Sequence, residues 1–256
     1  MAFAGVDAGS RTIKVVLLDD GGSAILGSAV ADQGVRQAER AEELYARALG
    51  AAGLDRADVA AVVATGLGRT AIGFAARTMT EITCQARGIH HLHPAARSVI
   101  DVGGQDSKVL RLDAGGRVLD FAMNDRCAAG TGRFLEIAAR LLDLPLAALG
   151  TAALGAEAFA AVTTMCAVFA ETEIIGLLAA GVPPAAIAAG VQRAIAARLV
   201  ALAGRRLDPP TLLTGGVALI PGMDRALAAA AGRPVAVAAM AQCTAALGAA
   251  LLARGA

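Results

Sequence analysis

Lysine is almost missing from this chain. Of 23 lysines and arginines only two are lysine, Lys14 and Lys108. Neither sign of charge is in excess: 23 basic and 22 acidic residues give a formal net charge of +1, and no block of like charge occurs. That balance excludes the basic footprint of a nucleic-acid binder and a patch suited to an acidic partner. The N-terminus, MAFAGVDAGS, has no basic lead and reaches an aspartate at position 7, so it does not read as a secretory signal. The four cysteines, Cys84, Cys127, Cys166 and Cys243, lack the close spacing of a disulfide framework, and reduced thiols in a cytoplasmic chain are expected. There is no GxxxxGK[ST] phosphate loop and no GxGxxG after a strand, which excludes two common nucleotide-binding fingerprints.

Apolar residues are plentiful. They make up 56% of 256 residues, enough for one large α/β domain or two lobes. Much of this is alanine, which favours helices but fills little volume. One uncharged stretch, Pro234 to Ala253, is long enough to cross a bilayer. It contains Gln242 and Thr244 and divides into a short strand, PVAV, and a helix, so no membrane association is expected.

The most informative feature is a duplication. Residues Asp7 to Gly22 read DAGSRTIKVVLLDDGG, and residues Asp101 to Gly116 read DVGGQDSKVLRLDAGG. The offset is 94 without a gap, and eight of the 16 positions are identical, among them Asp7/Asp101, Gly9/Gly103 and Lys14/Lys108. Each copy predicts one supersecondary unit. A strand (FAGV, SVIDV) ends at Asp-x-Gly, a tight turn follows, and a second strand (IKVVLL, KVLRL) leads through Asp-x-Gly-Gly into a third (SAILGSAV, RVLDFAM). Helices are expected after each unit, over about Arg36 to Gly50 and Gly130 to Leu142. The fold class is therefore α/β, with two similar lobes and a cleft between them. Lobe I is expected over 1–95, completed by the C-terminal helix 243–254, and lobe II over 96–242.

Asp-x-Gly at a strand end has a chemical use. The glycine lets the backbone approach a ligand where a Cβ would collide, and the turn's N–H groups form an anion-binding concavity. The aspartate can hold a hydrated divalent cation. Two such turns could pinch a polyphosphate and its magnesium, although each alone would pass for an ordinary hairpin turn. The two lysines sit at equivalent repeat positions, where a compact ammonium suits phosphate oxygens better than a planar guanidinium does. A third element, TLLTGGVALIPGM, is a short strand ending in Gly215-Gly216 before a helix near Pro221, and permits close approach to a flat ring or sugar. Cys127, in NDRCAAGTGRF, could be a buried hydrophobe, a nucleophile or a metal ligand.

Duplicated Asp-x-Gly units with a late Thr-Gly-Gly resemble the actin, sugar-kinase and Hsp70 superfamily. That likeness implies two ribonuclease-H-like lobes with ATP between them. The motifs GGQDSKVL (Gly103 to Leu110), NDRCAAGTGRFLE (Asn124 to Glu136), CAVFAETEII (Cys166 to Ile175) and TGGVA (Thr214 to Ala218) narrow it, together with ATGLGR (Ala64 to Arg69) and EITCQARG (Glu81 to Gly88). The chain resembles the 2-hydroxyacyl-CoA dehydratase activators, a family that includes benzoyl-CoA reductase ATPase subunits. The resemblance implies a homodimer sharing one four-iron four-sulfur cluster, with Cys127 and Cys166 as its ligands from each chain. It implies ATP hydrolysis coupled to transfer of an electron, from a donor such as ferredoxin or flavodoxin to an acyl-CoA dehydratase or reductase. It places Asp7, Gly9, Ser10, Arg11 and Lys14 in the first phosphate motif and Gly103, Gly104, Gln105 and Asp106 in the second. Gly215 and Gly216 fall in the adenosine motif, and Gly132 in the run between cysteine and nucleotide. Mg²⁺ is expected at Asp7 and Asp101 through water, with the attacking water near Gln105 or Asp106. Arg11 replaces a small hydroxyl residue common in the family, and Ile220 stands where TGGVAxN has asparagine.

Two cysteines per chain cannot close a four-thiolate site, whereas a two-fold dimer brings four. Cys127 is expected at the N-terminus of the helix that follows it, where the helix dipole favours a thiolate, and Cys166 likewise precedes a helical run. A four-cysteine zinc site at a dimer axis would use the same thiols. Cys84 with His90, His91 and His93 does not fall on one face, and a surface loop is expected there rather than a metal site. Glu171 could contact the nucleotide. Other readings of the same residues are a benzoyl-CoA reductase-type ATPase subunit, a sugar or small-acid kinase without a cluster, and a chaperone-like ATPase.

Overall fold

In the computed structural model, which describes residues 1–163, 166–204 and 207–255, the repeat becomes two sheets of the same topology. The first sheet is ordered β3-β2-β1-β4-β5, with β1 (Ala2–Ala8), β2 (Thr12–Asp19), β3 (Ile25–Asp32), β4 (Val59–Thr65) and β5 (Arg77–Thr78). The second is ordered β10-β9-β6-β7-β8, with β6 (Ser98–Val102), β7 (Ser107–Leu112), β8 (Val118–Asn124), β9 (Thr211–Thr214) and β10 (Val235–Val237). In each sheet the first strand pairs antiparallel with the second and parallel with the fourth. The central strands are buried along their length, and the edge strands β3 and β8 alternate or are open, as expected for sheets covered on both faces only at their centre.

The chain divides into two compact units. One comprises Met1–Ala96, Leu112–Leu119 and Gln242–Ala256; the other comprises Arg97–Arg111 and Asp120–Ala241. In the first, α1 (Gln37–Ala52) buries Ala41, Leu44, Tyr45, Ala48 and Leu49, the spacing of one helical face. It ends on Gly53 in the left-handed region, a helix stop that a Cβ would strain. The helices α2 (Glu81–Leu92) and α8 (Thr244–Arg254) cross at glycine. A Cβ on Gly248 would lie 1.7 Å from the Cys84 carbonyl oxygen, and one on Gly88 would lie 2.0 Å from that of Thr244. The buried Thr244 hydroxyl donates to Gln85 Oε1 at 2.9 Å in the same contact. A Cβ on Gly5 would lie 1.9 Å from the Ala246 carbonyl oxygen, so α8 lies directly on β1. The uncharged stretch from Pro234 thus divides into β10 and α8, and α8 buries nine residues.

The second unit adds α3 (Gly132–Leu141), α4 (Leu146–Leu154), α5 (Ala167–Ala179), α6 (Pro184–Ala203) and α7 (Met223–Ala231). Their inward faces share one core with Ile100, Val102 and Leu213 of the sheet. Among the described residues α6 is long and apolar enough to cross a membrane by length and composition, and Ile187, Val191, Ile195 and Leu199 of it are spent in that core. Two expectations from the sequence change. Cys84, His90 and His91 lie on α2 rather than in a loop, with Cys84 and Ile89 turned into the core. Cys127 does not begin α3: it caps a separate 3-10 turn, 128–130, and Thr131 is the α3 N-cap. The glycine and small residues between them, AAGTG, favour a broken entry over a continuous helix.

Candidate functional site

The antiparallel register sets each repeat lysine opposite its aspartate: Asp7 faces Lys14 and Asp101 faces Lys108. Lys14 Nζ lies 2.9 Å from Asp7 Oδ2. Lys108 Nζ lies 2.6 Å from Asp106 Oδ2 and 3.9 Å from Asp101 Oδ2, and Lys108 is only 1% exposed. The lysines were expected among phosphate oxygens, and here each binds the carboxylates of its own turn. An ammonium against a buried carboxylate offsets the cost of burying either charge alone. The turns close alike, Gly9 N–H donating to the Thr12 carbonyl at 3.1 Å and Gly103 N–H to the Asp106 carbonyl at 2.9 Å. A Cβ on Gly9 would stand 3.0 Å from Lys14 Nζ, and one on Gly103 would stand 2.5 Å from Asp106 Oδ1. Ser10 is half-buried beside Gly9, and Arg11 is exposed.

The duplication extends further than the gapless repeat. Asp7 also pairs with Thr65 of β4, and Asp101 with Thr214 of β9, in the same parallel register. Each threonine is followed by a glycine in the left-handed region, Gly66 at φ +87° and Gly215 at φ +86°. A Cβ on Gly66 would lie 2.5 Å from both the Ala8 carbonyl oxygen and Asp7 Oδ1; one on Gly215 would lie 2.2 Å from the Val102 carbonyl oxygen. Thr65 and Gly66 thus join the candidate site; both stand within ATGLGR, but nothing in the sequence assigned them a place in it. Their signal was a Thr-Gly after an apolar strand in VVATG, matching LLTGG, but the intervening helices of the second unit destroy the constant offset.

The two hydroxyls act differently. Thr214 Oγ1 donates to Asp101 Oδ1 at 2.9 Å, whereas Thr65 Oγ1 donates to the Met79 carbonyl at 3.1 Å. Asp7 Oδ1 is therefore left without a hydrogen-bond partner among the described residues, although the residue is only 4% exposed. A buried carboxylate oxygen with no donor is what a hydrated divalent cation would satisfy. Gln105 is exposed, while Asp106 is held by Lys108. Gly216 opens a 3-10 turn, 216–219, and Ile220 is buried in the core of the second unit. Ile220 thus serves packing, at the position where the resemblance led to an expectation of asparagine.

The second turn is joined to the cysteine segment. Gly132 N–H donates to the Gly103 carbonyl and Arg133 N–H to the Gly104 carbonyl, both at 2.9 Å. Two of the first donors of α3, which a helix cannot satisfy internally, are thus spent on the turn. A Cβ on Gly132 would meet Gly103 O at 3.1 Å, Gly104 Cα at 3.3 Å and Val217 Cγ2 at 3.3 Å. The second Asp-x-Gly turn, the start of α3 and the segment after Gly216 therefore touch at one glycine.

The four cysteines divide by burial. Cys84 and Cys243 are buried, and Cys127 and Cys166 are exposed. Burial pushes the Cys84 thiol up to about 12, opposed in part by its hydrogen bond with Thr65, and burial raises Cys243 as well. Cysteine is ordinarily among the most buried residues, so two exposed thiols do not act as core filler. Cys166 N-caps α5, and exposed Val168 and Phe169 flank it. Glu171, on α5, pairs with Arg140 at 3.2 Å. Among the described residues no group of three or more His, Cys, Asp or Glu side chains could hold a metal within one chain. His90, His91 and Cys84 form no such group.

Two sheets of one topology, each carrying an Asp-x-Gly turn beside a Thr-Gly, define an actin-like ATPase fold, and the structural neighbours bear this out. The chain belongs to the BadF/BadG/BcrA/BcrD ATPase family, whose pattern matches residues 4–253. It is 42% identical over 251 residues to the activator of lactoyl-CoA dehydratase of Anaerotignum propionicum, covering 97% of this chain and 96% of the relative. It is 35% identical to a benzoyl-CoA reductase subunit of Thauera aromatica, over 88% of this chain and 81% of that one. The solved structure of the activator of the 2-hydroxyisocaproyl-CoA dehydratase from Clostridium difficile, with bound ADPNP, superimposes with a TM-score of 0.94 at 37% identity. That match covers 100% of this chain and 95% of the other.

Proposed function

We propose that this protein is an ATP-dependent activator that passes one low-potential electron to a 2-hydroxyacyl-CoA dehydratase or a related CoA-ester reductase. The observation that carries the reading is the pair of hydrogen bonds from Gly132 and Arg133 to the carbonyls of Gly103 and Gly104. They tie a nucleotide-motif turn to the segment bearing an exposed cysteine. The names of the relatives point to the same class of partner, and one solved relative holds a nucleotide analogue.

ATP is bound through the equivalent turns, Asp7, Gly9, Ser10, Arg11 and Lys14 in one and Gly103, Gly104, Gln105 and Asp106 in the other, with Gly215 and Gly216 beside the nucleoside. Mg²⁺ is held through water by Asp7, whose Oδ1 is unsatisfied, and by Asp101. Gln105, exposed where Asp106 is salt-bridged, orients the attacking water. These residues position and stabilise charge rather than form covalent bonds.

The donor set fits an iron–sulfur cluster. Cys127 and Cys166 are exposed thiols at the starts of helical turns, and two chains supply the four thiolates that a four-iron cluster takes. When bound, such a cluster supplies a one-electron carrier fed by ferredoxin or flavodoxin. The small residues after Cys127, expected at a meeting of two chains, are not that surface: Ala129 and Gly130 are buried within their own chain and Ala128 packs against its core, so the approach is left to the exposed stretch Asp125 to Cys127. ATP promotes electron transfer only if it binds an electron-donating conformation better than a resting one. We place the protein in the cytoplasm as a homodimer, without nucleic acid or membrane partners. A benzoyl-CoA reductase-type ATPase subunit is the second reading, favoured by the likeness to the Thauera aromatica reductase.

Anaerobic purification followed by iron, sulfide and visible-absorption measurement tests the proposal. About four irons per two chains and a brown colour are expected. A colourless protein that stays iron-free after anaerobic reconstitution, yet binds ATP, refutes it in favour of a kinase-like ATPase.

A further inference from the structure

We propose that Asn124 is a positioning residue that fixes the direction in which Cys127 presents its thiolate. The inference rests on the cluster-ligand role given to Cys127 above. Asn124 ends β8, and its carboxamide folds back over the next three residues. Its Oδ1 accepts the Cys127 N–H at 3.0 Å, and its Nδ2 donates to the Cys127 carbonyl at 2.8 Å. One side chain thus engages both backbone polar groups of the cysteine. The carboxamide orientation is self-consistent, because the reverse would set two donors together and two acceptors together.

The consequence is geometric. With both of its backbone groups bound, Cys127 is held at φ −119° and ψ 115°, and χ1 alone remains to aim the sulfur. This matters here because the segment is otherwise open: Asp125, Arg126 and Cys127 are all exposed. The far side is braced as well, Thr131 Oγ1 donating to the Ala128 carbonyl at 2.8 Å. No other side chain reproduces the clamp. Aspartate keeps the acceptor but faces the Cys127 carbonyl with a second oxygen. Glutamine adds a methylene and loses the closed geometry. A ligand loop held before its metal arrives avoids reordering on binding.

The test uses the full chain as Asn124→Ala, Asn124→Asp and wild type. In the metal-free protein, hydrogen exchange at the Cys127 amide is measured. Asn124→Ala is expected to exchange about tenfold faster, the loss of one or two hydrogen bonds. Asn124→Asp, which keeps the acceptor, is expected to stay near wild type at that amide. In the anaerobically reconstituted protein, release of iron to a chelator and the electron paramagnetic resonance of the one-electron-reduced state are followed. Asn124→Ala is expected to release iron about tenfold faster with a shifted spectrum, and Asn124→Asp to fall between. A merely structural role would move the melting temperature but not the spectrum. Unchanged exchange and an unchanged spectrum in Asn124→Ala overturn the proposal. If wild type takes up no iron, the activator reading fails by itself and the clamp is judged on amide exchange alone, where equal rates overturn it. If Asn124→Ala does not fold, Asn124→Asp decides, and wild-type iron release and spectrum in it count against the clamp.

Discussion

Gly66→Ala should disable nucleotide chemistry by displacing the Asp7 carboxylate while leaving every polar side chain of the site in the sequence. Two costs arise. Gly66 sits at φ +87°, where an L-residue is strained by ~1–2 kcal/mol. The new Cβ would also stand 2.5 Å from Asp7 Oδ1 and from the Ala8 carbonyl oxygen, where ordinary contact begins at 3.4 Å. Something must move by about 0.9 Å. The Ala8 carbonyl is main chain of β1, hydrogen-bonded to Gly68 N–H at 2.9 Å, so the Asp7 carboxylate is the softer side and gives way. A misplacement of about 1 Å in a positioning group costs roughly 100-fold in rate. Steady-state Mg²⁺-ATPase assay should therefore show a loss on the order of 100-fold in kcat. Gly53→Ala separates the two costs, since Gly53 has φ +67° but a Cβ there would meet nothing within 4 Å. It carries strain alone. Both variants should lose roughly 2–8 °C in Tm, and only Gly66→Ala should lose ATPase. If Gly66→Ala keeps its ATPase within about threefold of Gly53→Ala, Asp7 is not the cation-holding group and the argument from its orphaned oxygen fails.

Other outcomes follow from the same geometry. Cys127→Ser and Cys166→Ser should each abolish iron binding and electron transfer while leaving ATP affinity within about twofold; loss of ATP binding would show that the cysteine segment and the nucleotide turns are one site. Lys108→Met should destabilise the second unit by ~3–5 kcal/mol, because it leaves Asp106 and Asp101 without their ammonium, and denaturant unfolding measures it. Cys84 has its pKa raised from 9 to about 12, so the folded chain holds a proton there that the unfolded chain releases. Its contribution is present below pH 9 and is lost as pH rises from 9 towards 12, so stability falls across that window, and a Cys84→Ala variant should flatten the fall. Gly132→Ala should weaken the link to Gly103 and Gly104, where contacts of 3.1–3.3 Å leave little room; a nucleotide-dependent change in the reactivity of Cys127 should shrink while iron content holds.

Much of this protein is legible in its sequence. The gapless repeat determined the two Asp-x-Gly turns, the strand pairs around them and the α/β class, because strand alternation and turn glycines are local properties. The four cysteines could be counted and their spacing spoke against a disulfide framework, while the choice of Cys127 and Cys166 as a ligand pair rested on the family resemblance. Other features needed the fold. The sequence could not show that Lys14 and Lys108 bind their own aspartates, because that depends on strand register. It hid Thr65-Gly66 as the partner of Thr214-Gly215, because parallel pairing joins strands separated by different lengths of chain. Cys84 and Cys127 read alike as letters, and only packing buries one beneath α8 and exposes the other. The helix after Cys127 was placed too early, because its glycines tolerate either a helix or the 3-10 turn observed, and the bonds from Gly132 and Arg133 to the neighbouring turn decide the matter. Sequence determined which groups the chain carries; long-range pairing decided which carboxylate oxygen lacks a donor and which thiols reach the surface.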